Sequence, residues 1–275
     1  MRMVLMGAAW IGLAVSTVGT PLLAQLQDNS EKQLTCENGS RDGEQARRCD
    51  IREQTVASIG RLSVDASPNG GATVKGWLRK DVLVRARVEA RGETQGAADI
   101  LVSHVNIDSS GGQVRATGPE STNNSGWSVT YEIFVPQNSD LSLKSHNGGL
   151  NISDVRGQIR FDGTNGGVRL KRVAGDVSGA TVNGGVQVEL TGVMWDGRQL
   201  DISTRNGGVT VAMPSHYSAH IQAETGNGGI HSDFPSALEG NTRSRRLDFN
   251  LGAGGPLIHI VTGNGGVTLK RVDSQ

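Results

Sequence analysis

Aromatic side chains are scarce: four tryptophans, two tyrosines and four phenylalanines make up 4% of the 275 residues. A core built on large rings is not expected, so small aliphatic side chains must do the packing. Net charge is absent as well, with 27 basic against 27 acidic residues. That balance argues against a nucleic-acid binder or a polybasic membrane binder. Cysteine is limited to Cys36 and Cys49. A metal site would need more ligands than two thiols, and Glu37 to Arg48 contains no histidine. An even pair in an exported chain reads instead as a disulfide closing a short loop, a constraint of roughly 3 kcal/mol.

Long hydrophobic runs are missing after the first residues. At the start, Arg2, the apolar stretch Val4 to Val18, and Pro21-Leu22-Leu23-Ala24 have the layout of an export signal. Residues 1–24 are therefore expected to be a signal peptide cleaved after Ala24. The alternative, a retained anchor, is opposed by Thr17, Thr20 and Pro21, which interrupt a run already short for a span of roughly 20 residues. No cysteine stands at the cleavage position to carry a lipid. The expectation is an exported chain, periplasmic or at the cell surface, with no membrane span after cleavage.

What the sequence has in abundance is glycine, 39 residues, and it has a pattern. Asn147-Gly148-Gly149-Leu150, Asn165-Gly166-Gly167-Val168 and Asn183-Gly184-Gly185-Val186 follow one another at intervals of 18, and the phrase returns at Asn206, Asn227 and Asn264. A repeat of this length means that one small unit is stacked or multiplied. Six and four residues before each asparagine stand Leu141 and Leu143, Ile159 and Phe161, Val177 and Gly179, Leu200 and Ile202, Ile221 and Ala223, and Ile258 and Ile260. Two before it the residue is Ser145, Gly163, Thr181, Thr204, Thr225 or Thr262. Aliphatic residues recur three and five after it, as in Val168 and Leu170. Each unit is thus two strands sharing one buried face. A second corner falls at Val155 and Gly157, and again at Val173 and Gly175.

Other segments depart from the repeat. Residues 25–58 read as a polar tether carrying the Cys36–Cys49 loop, and residues 59–275 as the repeat domain. Leu62 to Trp77 looks like a first, imperfect copy, with its turn at Asn69-Gly70-Gly71. Val82 to Val88 and Trp127 to Val135 alternate as strands, and the spacing of Ala97, Ala98, Leu101 and Val105 permits a short helix. The interval of 23 between Asn183 and Asn206 leaves room for a loop over Met194 to Arg198. The interval of 37 between Asn227 and Asn264 is close to two units, which places a missing middle turn at Gly252-Ala253-Gly254-Gly255 or within Phe234 to Arg246.

Two architectures fit. In a parallel β-solenoid of about 18–23 residues per coil, like positions stack about 4.8 Å apart and the asparagines form a ladder of side-chain amides. In an antiparallel meander or sandwich each Asn-Gly is a hairpin turn. The solenoid is favoured, because a Ser/Thr/Gly position, two aliphatic layers and a second corner all recur at one phase.

These units, together with Val135-Pro136 before the first regular one and Gly252-Ala253-Gly254-Gly255-Pro256 before the last, resemble the bacterial putative-adhesin family of exported β-strand-repeat proteins. The cysteine pair ending Arg47-Arg48-Cys49-Asp50 is similar to that of members with an exported leader. The resemblance runs from about Ile59 to Val272 and implies a β-repeat fold. It carries over no catalytic residues.

A search for chemistry assigns no catalytic, cofactor-binding or metal-binding residue. His216 and His220 are four apart, but Pro214 and the strand pattern deny them a shared helical face. The calcium-binding Gly-Gly-x-Gly-x-Asp nonapeptide is absent, and no glycine run leads into a helix as a phosphate loop would. The rival reading is a β-helix enzyme acting on polysaccharide, or an accessory protein of envelope stress or signalling. The enzyme would need carboxylates clustered on neighbouring coils, and Asp154, Asp162, Asp176, Asp196 and Asp201, available beside Lys171 and Arg172, are carboxylates that do not repeat at a shared phase next to one another. The expected function is that of a noncatalytic binding scaffold for an envelope glycan or protein. Its outward Arg169, Lys171, Gln187, Glu189 and Thr210, and the irregular loops near Trp195 and Phe234, are the candidate surfaces. The six asparagines Asn147, Asn165, Asn183, Asn206, Asn227 and Asn264 are assigned to architecture.

Overall fold

The computed structural model describes residues 31–36, 45–235 and 245–272. The expected signal peptide and the tether before Glu31 lie outside these residues, as does most of the irregular stretch between Phe234 and Arg246. The fold is a parallel β-solenoid of two ten-stranded sheets around one aliphatic core.

Its regular part is four coils, each with one strand in each sheet: β8 (Asp140–Asn147) and β9 (Leu150–Ser153), β10 (Arg156–Asn165) and β11 (Val168–Lys171), β12 (Ala174–Asn183) and β13 (Val186–Glu189), β14 (Gln199–Asn206) and β15 (Val209–Pro214). All pairings among them are parallel and in register: Leu141 lies against Ile159, Ile159 against Val177 and Val177 against Leu200. On the other sheet Leu150, Val168, Val186 and Val209 line up in the same way. These residues are buried. At roughly 1.5–3 kcal/mol for each fully buried aliphatic side chain, the stacking of coils is the main stabilising term.

The turn itself shows why a meander does not form. The Gly148 N–H donates to Asn165 O at 2.9 Å and Leu150 N–H to Gly167 O at 3.0 Å, so the polar groups of the Asn-Gly-Gly corner are satisfied by the next coil, not across a hairpin. The hydroxyl two residues before the asparagine works on the same corner. Thr181, Thr204 and Thr262, all buried, donate to the carbonyls of Gly166, Gly184 and Gly207 in neighbouring coils.

Order along the chain and order in the stack diverge at both ends. β16 (Ala219–Asn227) and β17 (Ile230–Ser232) form the last coil, and β19 (Leu257–Asn264) with β20 (Val267–Val272) slots between that coil and β14/β15. Among the described residues the expected middle turn is not found, and the part of the interval from 236 to 244 lies outside them: the chain lays β18 (Arg246–Leu251) antiparallel on β16 and returns to insert a coil. Gly252-Ala253-Gly254-Gly255 is the turn back from β18. At the other end β2 (Arg61–Asp65) and β3 (Ala72–Trp77) pair with β8 and β9, while the later β6 (Gln113–Thr117) and β7 (Gly126–Pro136) stack outside them.

Antiparallel strands finish this N-terminal end. β4 (Asp81–Gly92) pairs with β7, and the short β5 (Asn106–Asp108) with β6. The segment between contains α1 (Gln95–His104), capped by the Thr94 side chain and burying Ala98, Leu101 and Val102. The tether reading of residues 25–58 fails from Ala46 onward, because Ala46–Ala57 is a 12-residue strand, β1, along β4. It reads as polar because it is an edge strand: its backbone bonds come from β4, and Glu53 stands opposite Arg85. Cys36 and Cys49, on β1, are joined in a disulfide with Cα atoms 5.7 Å apart.

Candidate binding surfaces

The parity that buries every second residue turns the others outward in rows that cross the strands. On the sheet containing β9 to β20, one row runs Thr73, Asn151, Arg169, Gln187, Thr210, Thr268 and His231, one residue per strand. The next holds Ser153, Lys171, Glu189, Ala212 and Lys270. Within this face Arg169 donates two hydrogen bonds to Gln187 Oε1, at 3.2 and 2.9 Å, and Lys171 Nζ lies 3.4 Å from Glu189. All five outward candidates thus lie on one face, at the strand spacing of about 4.8 Å.

The asparagines form a separate column at the corner. Asn165 Nδ2 donates to Asn147 Oδ1, Asn183 to Asn165, Asn206 to Asn183, Asn264 to Asn206 and Asn227 to Asn264, at 2.8–2.9 Å. Asn147 in turn donates to Asn69 in the first copy, at 2.9 Å. Their amides bond to one another, which leaves this column architectural.

The carboxylates considered for catalysis are dispersed, and four of them, Asp154, Asp176, Asp196 and Asp201, are individually paired. Asp154, wholly buried, takes two bonds from Arg172, at 2.6 and 2.7 Å, where both residues adopt left-handed backbone at the second corner. Asp176 is bound by Arg198, whose hydrogen bond holds the carboxyl below the ordinary aspartate value. Asp196 pairs with Arg156 across the loop after β13. Asp162 is exposed on β10 opposite Lys144. Among the described residues no group of three or more His, Cys, Asp and Glu has the geometry of a metal site.

In the two irregular segments the aromatic side chains are packed inward. Trp195 is 2% exposed and donates its Nε1–H to Gly175 O at 3.1 Å, so the Met194 to Arg198 insertion plugs a corner. Phe234 is 3% exposed, its backbone N–H held by Ser232 Oγ.

Two polar constellations escaped the reading of the sequence. On the other outer face His259 Nδ1 lies 2.8 Å from Asp201, and His220 Nε2 lies 2.7 Å from Asp248, while His216 sits apart in the turn after β15. Between them Gln222, Glu224, Arg246, Asp248 and His259 line a cavity of about 220 Å³. His220 bonding holds the Asp248 carboxyl below its ordinary value. His259 and Asp201 are 58 residues apart but occupy the same place, five before an asparagine, so the repeat phase was the available signal. The second constellation joins Glu53, Arg85, Glu132 and Lys75 at the N-terminal end.

Comparison with known proteins gives a family. Residues 81–270, well over half of the chain, match the family model described as Toastrack DUF4097. Among solved structures, the chain is similar to a putative cell adhesion protein from Clostridium sporogenes, with 13% identity over 82% of this chain and 100% of that one and a TM-score of 0.43. It is also similar to a putative adhesin from Bacteroides fragilis, with 12% identity over 82% of this chain and 97% of that one and a TM-score of 0.32. A putative lipid binding protein from Parabacteroides distasonis matches at 10% identity over 84% of this chain and 98% of that one, with a TM-score of 0.32. No curated protein matches this chain.

Proposed function

We propose that this chain, which belongs to the Toastrack DUF4097 family, is an exported, noncatalytic binding scaffold of the cell envelope. Its ligand is an extended envelope glycan, and the recognising surface is the flat outer face centred on Arg169, Gln187 and Thr210. The observation that carries this reading is the row of hydrogen-bonding side chains placed one per strand by the parallel register from Asn151 to Thr268. A ligand with its own repeat can lie across such a row and meet a polar partner at each step. Preformed strands hold these groups in place, so little conformational entropy opposes binding. The noncatalytic part of the reading is supported by Asp154, Asp176, Asp196 and Asp201, each held by its own cation or imidazole on a different coil.

The test is calorimetric titration of the purified chain with envelope polysaccharides, repeated with Arg169→Ala/Gln187→Ala. Binding that weakens about tenfold or more in the double variant, a loss of about 1.4 kcal/mol, supports the proposal. Binding that is indifferent to both residues would overturn the choice of face. Release of new reducing ends from the polysaccharide would overturn the noncatalytic reading, and saturable binding of an envelope protein alone would replace the ligand.

A further inference from the structure

At the N-terminal end of the solenoid, charged side chains are buried where the repeat does not need them. Arg85 on β4 stands in register between Glu53 on β1 and Glu132 on β7, and it pairs with both. Lys75 on β3 reaches the same Glu132 at 3.0 Å, and the Glu132 and Lys75 side chains are only 4% and 5% exposed. Charges buried to this degree persist only where their remaining hydrogen-bonding capacity is used.

Here that capacity is spent on a peptide backbone. The Glu132 carboxylate accepts from the N–H of Gln33, at 2.9 and 3.1 Å, and of Leu34, at 3.1 Å. Lys75 Nζ donates to Glu31 O at 3.0 Å, Arg85 Nη2 to Leu34 O at 3.1 Å and Arg87 Nη1 to Thr35 O at 3.4 Å. The side chains of Glu31, Lys32, Gln33 and Thr35 remain exposed, Lys32 Nζ pairing with the half-exposed Glu53 at 2.7 Å. The buried contacts therefore read main-chain groups: an anion takes two consecutive N–H groups, and three cations take the carbonyls on either side. Burial pushes the Glu132 carboxyl up, but the hydrogen bonds from Gln33, Lys75 and Leu34 more than offset it and hold the group below the ordinary value, anionic at neutral pH. The next residue after this strap is Cys36, which the disulfide fastens to Cys49 on β1.

We propose that Lys75, Arg85 and Glu132 form a main-chain-reading site for an extended peptide, occupied in this chain by Glu31–Thr35, with the Cys36–Cys49 disulfide as the latch that keeps the strap seated. The latch raises the local concentration of the strap and so excludes a competing peptide. A dithiol reductant opens it by exchange: two electrons and two protons pass to the cysteines, giving two thiols, and the reductant becomes a disulfide. The strap is then an ordinary tethered segment, and another extended peptide can take its place. This site does not depend on the glycan face.

The experiment uses the full chain carrying Gln33→Pro and Leu34→Pro, which removes the two N–H donors from the strap. The probe is a fluorophore-labelled acetyl-Glu-Lys-Gln-Leu-Thr-amide, followed by anisotropy. With the chain reduced by dithiothreitol, the probe should bind saturably, and at least about tenfold more tightly than to the oxidised unsubstituted chain. The same probe N-methylated at its Gln and Leu nitrogens should not bind, nor should the unmodified probe bind a chain that also carries Glu132→Gln. Absence of saturable binding to the reduced proline variant would overturn the proposal, as would equal binding by the oxidised chain, by the N-methylated probe or by the Glu132→Gln chain. Should the proline variant lose its β circular dichroism, amide exchange in the unsubstituted chain decides. Reduction should accelerate exchange at Gln33 and Leu34 while β10 and β12 stay protected, and unchanged exchange at Gln33 and Leu34 would equally sink the latch.

Discussion

Replacing Gly184 by alanine probes a close approach between coils. A Cβ at this position would lie 2.0 Å from Gly166 O and 2.5 Å from Gly166 C, where ordinary contact is 3.4–4 Å. The obstacle is backbone, so no rotamer change relieves it. The coils must part at this corner, and besides the Thr181 hydroxyl bond to Gly166 O three bonds hold them there: Gly166 N–H to Asn183 O, Val168 N–H to Gly185 O, and Asn183 Nδ2 to Asn165 Oδ1, each 2.9 Å. At a net of about 0.5–1.5 kcal/mol each, their loss costs about 3 kcal/mol. For a domain of this size that corresponds to a fall in Tm of roughly 6–12 °C. Gly96→Ala is the control, since a Cβ there meets nothing within 4 Å and the residue lies in α1; it should leave Tm unchanged or raise it, by up to about 1 kcal/mol in stability. Thermal unfolding followed by far-ultraviolet circular dichroism measures both. A Gly184→Ala protein melting within about 2 °C of the parent would refute the claim that coil-to-coil approach at the asparagine corner is what glycine serves, since that shift is about 0.5–1 kcal/mol, well short of about 3.

Two further outcomes follow from the polar columns. Asn183→Asp keeps the acceptor that Asn206 uses but sets a carboxylate oxygen against Asn165 Oδ1, and it should lower stability by about 1 kcal/mol more than Asn123→Asp in an exposed loop; equal melting temperatures for the two variants would contradict an energetic role for the ladder. For the strand that covers β16, the His220 hydrogen bond lowers the folded Asp248 value, so its contribution is complete above the ordinary aspartate value of 3.8 and is lost as pH falls through the lower folded value. Amide exchange at Leu247 and Phe249 should therefore rise on acidification through that range beyond the intrinsic trend, and Asp248→Asn should remove this extra pH dependence. An identical profile in the variant would show that β18 is held by its backbone and apolar face alone.

Much of this was legible in the residues because it is local and repeats. The inner columns, the hydroxyl before each asparagine and the outward row from Asn151 to Thr210 all follow from counting positions relative to Asn-Gly-Gly. The edge strand Ala46–Ala57 was not legible, since a strand whose backbone partner lies across the sheet edge and whose outward charges pair with β4 carries no apolar alternation to count. Trp195 and Phe234 pointed the wrong way: an aromatic in an irregular segment invited a functional reading, and both rings are buried.

The sequence by itself determined the period, the parity of each strand and the chemistry of each corner, because a two-residue alternation and a glycine turn are properties of a few adjacent residues. Only the tertiary structure decided which coil lies beside which. Strand pairing is a choice among distant segments with nearly equivalent faces, and Ile258 fits against Leu200 as well as Ile221 would. That choice put the coil of Asn264 between those of Asn206 and Asn227, brought His259 to Asp201, and folded Glu31–Thr35 onto charges from three strands far along the chain.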